Sequence, residues 1–101
     1  MSVIVVGRFS VPDVSKAIAA LTEHAALLEE ISADSKGQGA LHHRFLAGDG
    51  ELVVVDEWGT AEQFQGFFAG NPKVETITSA AGVEGPPTIA TFSPVEAAGT
   101  F

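Results

Sequence analysis

The chain predicts an α+β domain in the order strand, helix, strand, strand, helix, strand, built on one four-stranded antiparallel sheet. Three observations carry that expectation. Val3-Ile4-Val5-Val6 and Leu52–Val55 are short apolar runs rich in β-branched residues, the pattern of buried strands. Two helix-start signals follow them: Pro12-Asp13, and Thr60 with Gln63 placed to complete a capping box. Between the second and third strands lies Gly48-Asp49-Gly50, a tight-turn sequence in which glycine accepts positive φ.

The first strand extends from Val3 to about Phe9, and both of its alternating sets are apolar, so both faces call for burial. Asp13 caps the first helix, which runs to about Ala33 with Val14, Ile18, Leu21, Ala25 and Leu28 as its core stripe. Leu27 and Ile31 widen that stripe, and His24 lies on its flank. Ser35-Lys36-Gly37-Gln38-Gly39 reads as the loop that follows. Ala40–Leu46 is the second strand. A two-residue Asp49-Gly50 loop pairs Gly48 with Glu51, Phe45 with Val54, His43 with Asp56 and Leu41 with Trp58. A four-residue loop keeps the same faces, whereas a three-residue loop exchanges them. Phe64, Phe67 and Phe68 stud the helix after Thr60. Asn71-Pro72 then restarts a helical turn, with Val74 and Ile77 on its apolar side and Gly82 ending it. After Gly85-Pro86-Pro87, Thr88–Ser93 is the last strand. Residues 1–93 form one domain and 94–101 a C-terminal tail.

Right-handed crossovers place both helices on one face of the sheet. The opposite face carries Ile4, Val6, Val53 and Val55, an apolar patch that one chain leaves open. Two sheets packed face to face would cover it, so a homodimer is expected.

The length of 101 residues and 46% hydrophobic content suit one globular core. A formal net charge of -8 and a pI near 4.5 speak against nucleic acid as a partner. Without cysteine, disulfides, thiolate metal sites and cysteine nucleophiles are excluded. The N-terminal apolar run is too short for a signal peptide, and no stretch approaches the roughly 20 apolar residues of a membrane span. A cytoplasmic protein with no membrane partner is the simplest expectation.

The element order, together with VVVDEWGTAEQFQGFF from Val53 to Phe68, resembles the antibiotic biosynthesis monooxygenase family, whose members are ferredoxin-like domains forming dimeric α/β barrels. The matching feature is a strand ending in Glu57-Trp58, a capping residue, and a helix with an aromatic side. The resemblance spans about Val3 to Phe92. It implies either a cofactor-independent oxygenase acting on a phenol- or quinol-type aromatic, or a heme degrader. Heme degraders of the family carry a first-strand asparagine and a histidine late in the second helix. Those positions hold Gly7 and Ile77 here, and only Trp58 matches, so no heme and no other cofactor is expected. The tyrosine of some oxygenases is also missing.

His43 and Asp56 are the candidate catalytic pair. A carboxylate bonded to one imidazole nitrogen fixes the tautomer and makes the other nitrogen a general base. The same pair can equally serve as a cross-strand contact between two polar groups. Trp58, Phe45, Phe67 and His24 are candidate substrate-binding residues, with Phe64 and Phe68 filling the core. His42 and His43 are strand neighbours and point to opposite faces, so they do not chelate one ion, and no metal is expected. Two functions follow from these residues: an oxygenase, and a non-catalytic homodimeric module that binds a small apolar ligand or only itself.

Overall fold

In the computed structural model, which describes Met1–Phe101, the chain forms β1 (Val3–Ser10), α1 (Val14–Glu23), α2 (Ala25–Gln38), β2 (Ala40–Gly48), β3 (Glu51–Trp58), α3 (Ala61–Phe68), α4 (Pro72–Ala80) and β4 (Thr88–Phe92). The sheet order is β2-β3-β1-β4, and every neighbouring pair is antiparallel. This is the ferredoxin-like arrangement, with each of its two helical segments divided into two helices. The strands that are apolar on both faces, β1 and β3, take the centre. Residues 93–101 are exposed and form no helix or strand.

The hairpin has the two-residue loop, with Gly50 at φ 69 and Gly48 opposite Glu51. Phe45 faces Val54 and His43 faces Asp56, as counted from the turn. One partner differs. A bulge at Leu41 sets Ala40, not Leu41, opposite Trp58, and leaves Leu41 57% exposed. The small Ala40 side chain packs beside the indole there, and the extra residue is pushed outward.

The first helical segment departs from expectation in extent and in facing. His24 interrupts it at φ -102 and ψ 31, where its ring Nδ1–H donates to the Ala20 carbonyl at 2.8 Å. That carbonyl also accepts from the His24 backbone N–H at 3.0 Å, so one oxygen holds both donors at the point where the segment divides into α1 and α2. The inward stripe is Val14, Ala17, Leu21, Leu28 and Ile31, whereas Ile18 is 45% exposed. Ala17 and Ala20 are buried because their small side chains let the helix lie close against its neighbours.

The loop expected over Ser35–Gly39 is largely helical. α2 continues to Gln38, and Gly39 ends it in the left-handed region at φ 119. Glycine suits the position for a second reason, since a Cβ there would press on the Gln63 side-chain amide. Gln63 accepts from the Thr60 backbone N–H at 2.9 Å, while Thr60 Oγ1 accepts from the Gln63 N–H at 3.1 Å. The end of α2 and the start of α3 are therefore fitted to each other. Asn71 caps α4 by accepting from Lys73 and Val74 N–H groups. Lys73 Nζ ties α4 back to Asp34 of α2 at 2.8 Å, and that hydrogen bond holds its ammonium above the ordinary lysine range.

On the face away from the helices, Ile4, Val6, Val53 and Val55 are half-buried and form neighbouring rows, extended by Phe92 and Leu46 at 54% and 44% exposure. Arg8 forms a two-pronged pair with Glu51 at 2.9 Å on this face. That hydrogen bonding holds the Glu51 carboxyl below the usual glutamate range and the guanidinium above its own.

Gly39→Ala should lower stability by about 1–3 kcal/mol, combining left-handed strain with displacement of the capping glutamine. The urea midpoint, at unchanged m-value, measures it. A midpoint equal to wild type would show that the junction relaxes freely.

Candidate functional site

Most of the buried apolar residues fall into two groups. Phe9, Val11, Ala17, Leu52 and Ala81 form one, and Val5, Trp58, Phe64 and Phe67 the other, with Phe68 packed against both. A cavity of about 310 Å³ takes its walls from both groups, between the sheet and the helices. Gly7 helps to leave this space open. It sits on the inward face of β1, where a Cβ would meet the Phe9 ring at 3.1 Å and Ile89 at 3.2 Å.

His43 and Asp56 meet at the cavity wall. They are cross-strand partners on β2 and β3, and His43 Nδ1 lies 2.6 Å from Asp56 Oδ1. The other carboxylate oxygen accepts from Trp58 Nε1 at 3.2 Å. Asp56 and Trp58 can meet because residues two apart on a strand share a face. The carboxylate is 9% exposed, and both of its oxygens are engaged by donors. When the carboxylate is ionised it only accepts, so Nδ1 is then the donor, and Nε2 keeps a lone pair whenever the ring is neutral. The His43 side chain is 39% exposed and stands edge-on to the Phe45 ring at 4.6 Å, which limits its rotation.

Of the four candidate binding residues, Phe45 and Phe67 line the cavity. Two other expected binding residues do not. Trp58 is 0% exposed and lies behind the wall, 5.8 Å from Phe64 and 5.3 Å from Phe67 between ring centres, so its ring offers no open face to a ligand. The Asp56 carboxylate explains why: it supplies the partner that a buried indole N–H requires. His24 is also outside the wall, its ring turned to the Ala20 carbonyl.

Phe64 and Phe68, expected as core filler, do line the cavity, with rings stacked at 5.3 Å and 18°. Leu28, Ile31 and Ile77 complete the helical side and were legible only as members of apolar stripes. On the other face of the sheet, His42 Nε2 lies 3.9 Å from Glu57, so the adjacent histidines do point apart. No three His, Asp or Glu side chains converge on a common point. No helix is long and apolar enough to cross a membrane.

No protein-family model matches the chain, and no curated protein matches it in sequence. Among solved structures, antibiotic biosynthesis monooxygenase-type proteins match it along its whole length. The monooxygenase from the ActVA-Orf6 gene of Streptomyces coelicolor, solved with nanaomycin D, is 19% identical with a TM-score of 0.70, over 95% of this chain and 89% of that one. SnoaB, a cofactor-independent oxygenase from Streptomyces nogalater, is 17% identical with a TM-score of 0.64, over 98% of each chain. A dimeric ferredoxin-like protein from an uncultured marine organism is 12% identical with a TM-score of 0.67, over 95% of this chain and 90% of that one. At these identities, what is shared is the fold.

Trp58→Phe keeps a ring in the core and deletes the donor to Asp56. Leaving that buried oxygen unpaired should cost about 1–3 kcal/mol, and chemical unfolding reads it directly. A variant as stable as wild type would mean that water replaces the indole N–H without penalty.

Proposed function

We propose that this protein is a cofactor-independent monooxygenase acting on a phenol- or quinol-type aromatic, with His43 as general base and Asp56 as the residue that orients it. The observation that carries this reading is the 2.6 Å His43–Asp56 contact at the wall of a largely apolar cavity. A phenolic hydroxyl within about 3 Å of His43 Nε2 would be placed to give up its proton. The phenolate is electron-rich enough to reduce dioxygen, itself an apolar molecule suited to such a cavity.

The balance closes without another reductant. A phenol and one dioxygen give a quinone and one water. One oxygen atom bonds to the ring carbon para to the hydroxyl, and the hydrogen on that carbon leaves as a proton. The second oxygen departs as water when the O–O bond breaks, and the ring supplies all four electrons. His43 holds the hydroxyl proton and can return it to the departing oxygen. The apolar walls contributed by Phe45, Phe64, Phe67 and Phe68 would hold the ring and limit water. Trp58 serves through Asp56, whose second oxygen it fixes. The monooxygenase and oxygenase activities of the two Streptomyces proteins sharing this fold support the reading.

The working unit we propose is a homodimer. Ile4, Val6, Val53 and Val55, with Phe92 beside them, make an apolar face that nothing in the chain covers. A second copy of the same face would bury it, and the dimeric ferredoxin-like protein of the same fold supports that assembly. The apolar wall also favours a second reading, a dimeric module that binds an apolar ligand without turning it over.

Oxygen uptake with 1-naphthol and other naphthols that carry a hydrogen para to the hydroxyl separates the two readings. His43→Ala should reduce catalysed uptake by roughly 100-fold or more, and Asp56→Asn by less, with folding monitored by circular dichroism. Unchanged uptake in His43→Ala would remove the base assignment. Ligand binding with no catalysed uptake by wild type would leave the binding module. Light scattering should give twice the 10.4 kDa chain mass, and Val53→Asp should abolish that doubling or unfold the protein. A wild-type monomer at micromolar concentration would refute the dimer.

A further inference from the structure

We infer that the cavity selects uncharged aromatic ligands bearing a hydroxyl and excludes their carboxylated counterparts. This deepens the proposed function and rests on reading the cavity as the substrate site. The argument begins from the ionisable groups in the wall, which are Glu29, His43 and Asp56; neither lysine nor arginine contributes to it. None of the five basic residues lines this wall. Arg8 pairs with Glu51 on the opposite face of the sheet, Lys73 bonds to Asp34, and Arg44, opposite Val55, borders a separate shallow pocket that also touches His43 and Asp56.

A ligand carboxylate entering this space would therefore lose hydration and meet no counter-ion. It would also face two acidic lining residues, in a chain whose formal net charge is -8. Neutral His43 offers an acceptor lone pair at Nε2, which suits a hydroxyl donor and opposes an anion. Protonated His43 would already be balanced by Asp56 at 2.6 Å, so it supplies no free positive charge. The remaining wall hydroxyls add little. Ser35 and Thr78 donate to carbonyls of their own helices, leaving Ser32 as the one other hydroxyl in the wall.

Calorimetric titration of the wild-type protein with 2-naphthol, 6-hydroxy-2-naphthoate and the methyl ester of that acid tests this. The ester controls for size while removing the charge. The naphthol and the ester should bind with similar Kd, and the free acid about 100-fold more weakly. Glu29→Lys, at an exposed position on the cavity rim, should shrink that ratio by roughly tenfold.

Equal binding of acid and ester would overturn the charge selectivity while leaving the cavity as the substrate site. An ester as weak as the acid would assign the discrimination to size and overturn the inference too. If none of the three binds, the inference and the substrate-site reading fall together. Discrimination without catalysed oxygen uptake would uphold the inference and remove the oxygenase.

Discussion

The register of the β2–β3 hairpin is the constraint on which the rest depends. Side chains alternate with a period of two, so a slip of one residue would carry His43 to the far side of the sheet and bring His42 and Arg44 inward. The Asp49-Gly50 turn prevents that slip, with Gly50 at φ 69 and Gly48 paired to Glu51. From this one local choice follow the His43–Asp56 contact, the Phe45–Val54 pair and the apolar outer face. The bulge at Leu41 comes only after these pairs and leaves them unchanged.

The second consequence of that register is a buried carboxylate satisfied from two sides. Asp56 accepts from an imidazole on the neighbouring strand and from an indole on its own. Removing either donor would expose a cost out of proportion to one hydrogen bond, because the oxygen left behind is shielded from water. The same geometry accounts for the enclosure of Trp58. An indole held by its N–H at one end, with Phe64 at a T-shaped angle and Phe67 tilted against it, is a structural prop for the wall, with no surface left over for a ligand.

Much of the architecture was legible because its signals are local. The glycine turn, the Thr60/Gln63 capping box and the Asn71-Pro72 restart each operate within a few residues, and each is present in the structure. The His43–Asp56 pairing followed by counting outward from the turn. The break at His24 was hidden because a helical stripe continues across it, and the ring-to-carbonyl bond leaves no periodic trace. The α2 extension to Gln38 was hidden because Gly37 reads as a loop residue, although it stands in open space where a helix tolerates it. The cavity was the least legible feature. It depends on volumes missing between elements, and its only sequence sign is Gly7 directly after the β-branched run Val3–Val6.

The two edges of the sheet have a consequence for how the protein avoids disordered assembly. At one edge, the Leu41 bulge disrupts the start of β2, and His42–Gly48 runs on in regular register. At the other, β4 has 5 residues and is bracketed by Pro86-Pro87 before it and Pro94 after it, none of which carries an amide hydrogen. A foreign strand approaching β4 finds a short ladder bounded by prolines, so templated strand addition of the kind that grows fibrils is disfavoured at that edge. The apolar rows of the broad outer face remain open in the single chain. In the proposed homodimer that face would be used up in a single pairing event, so growth would stop where an edge would let it continue.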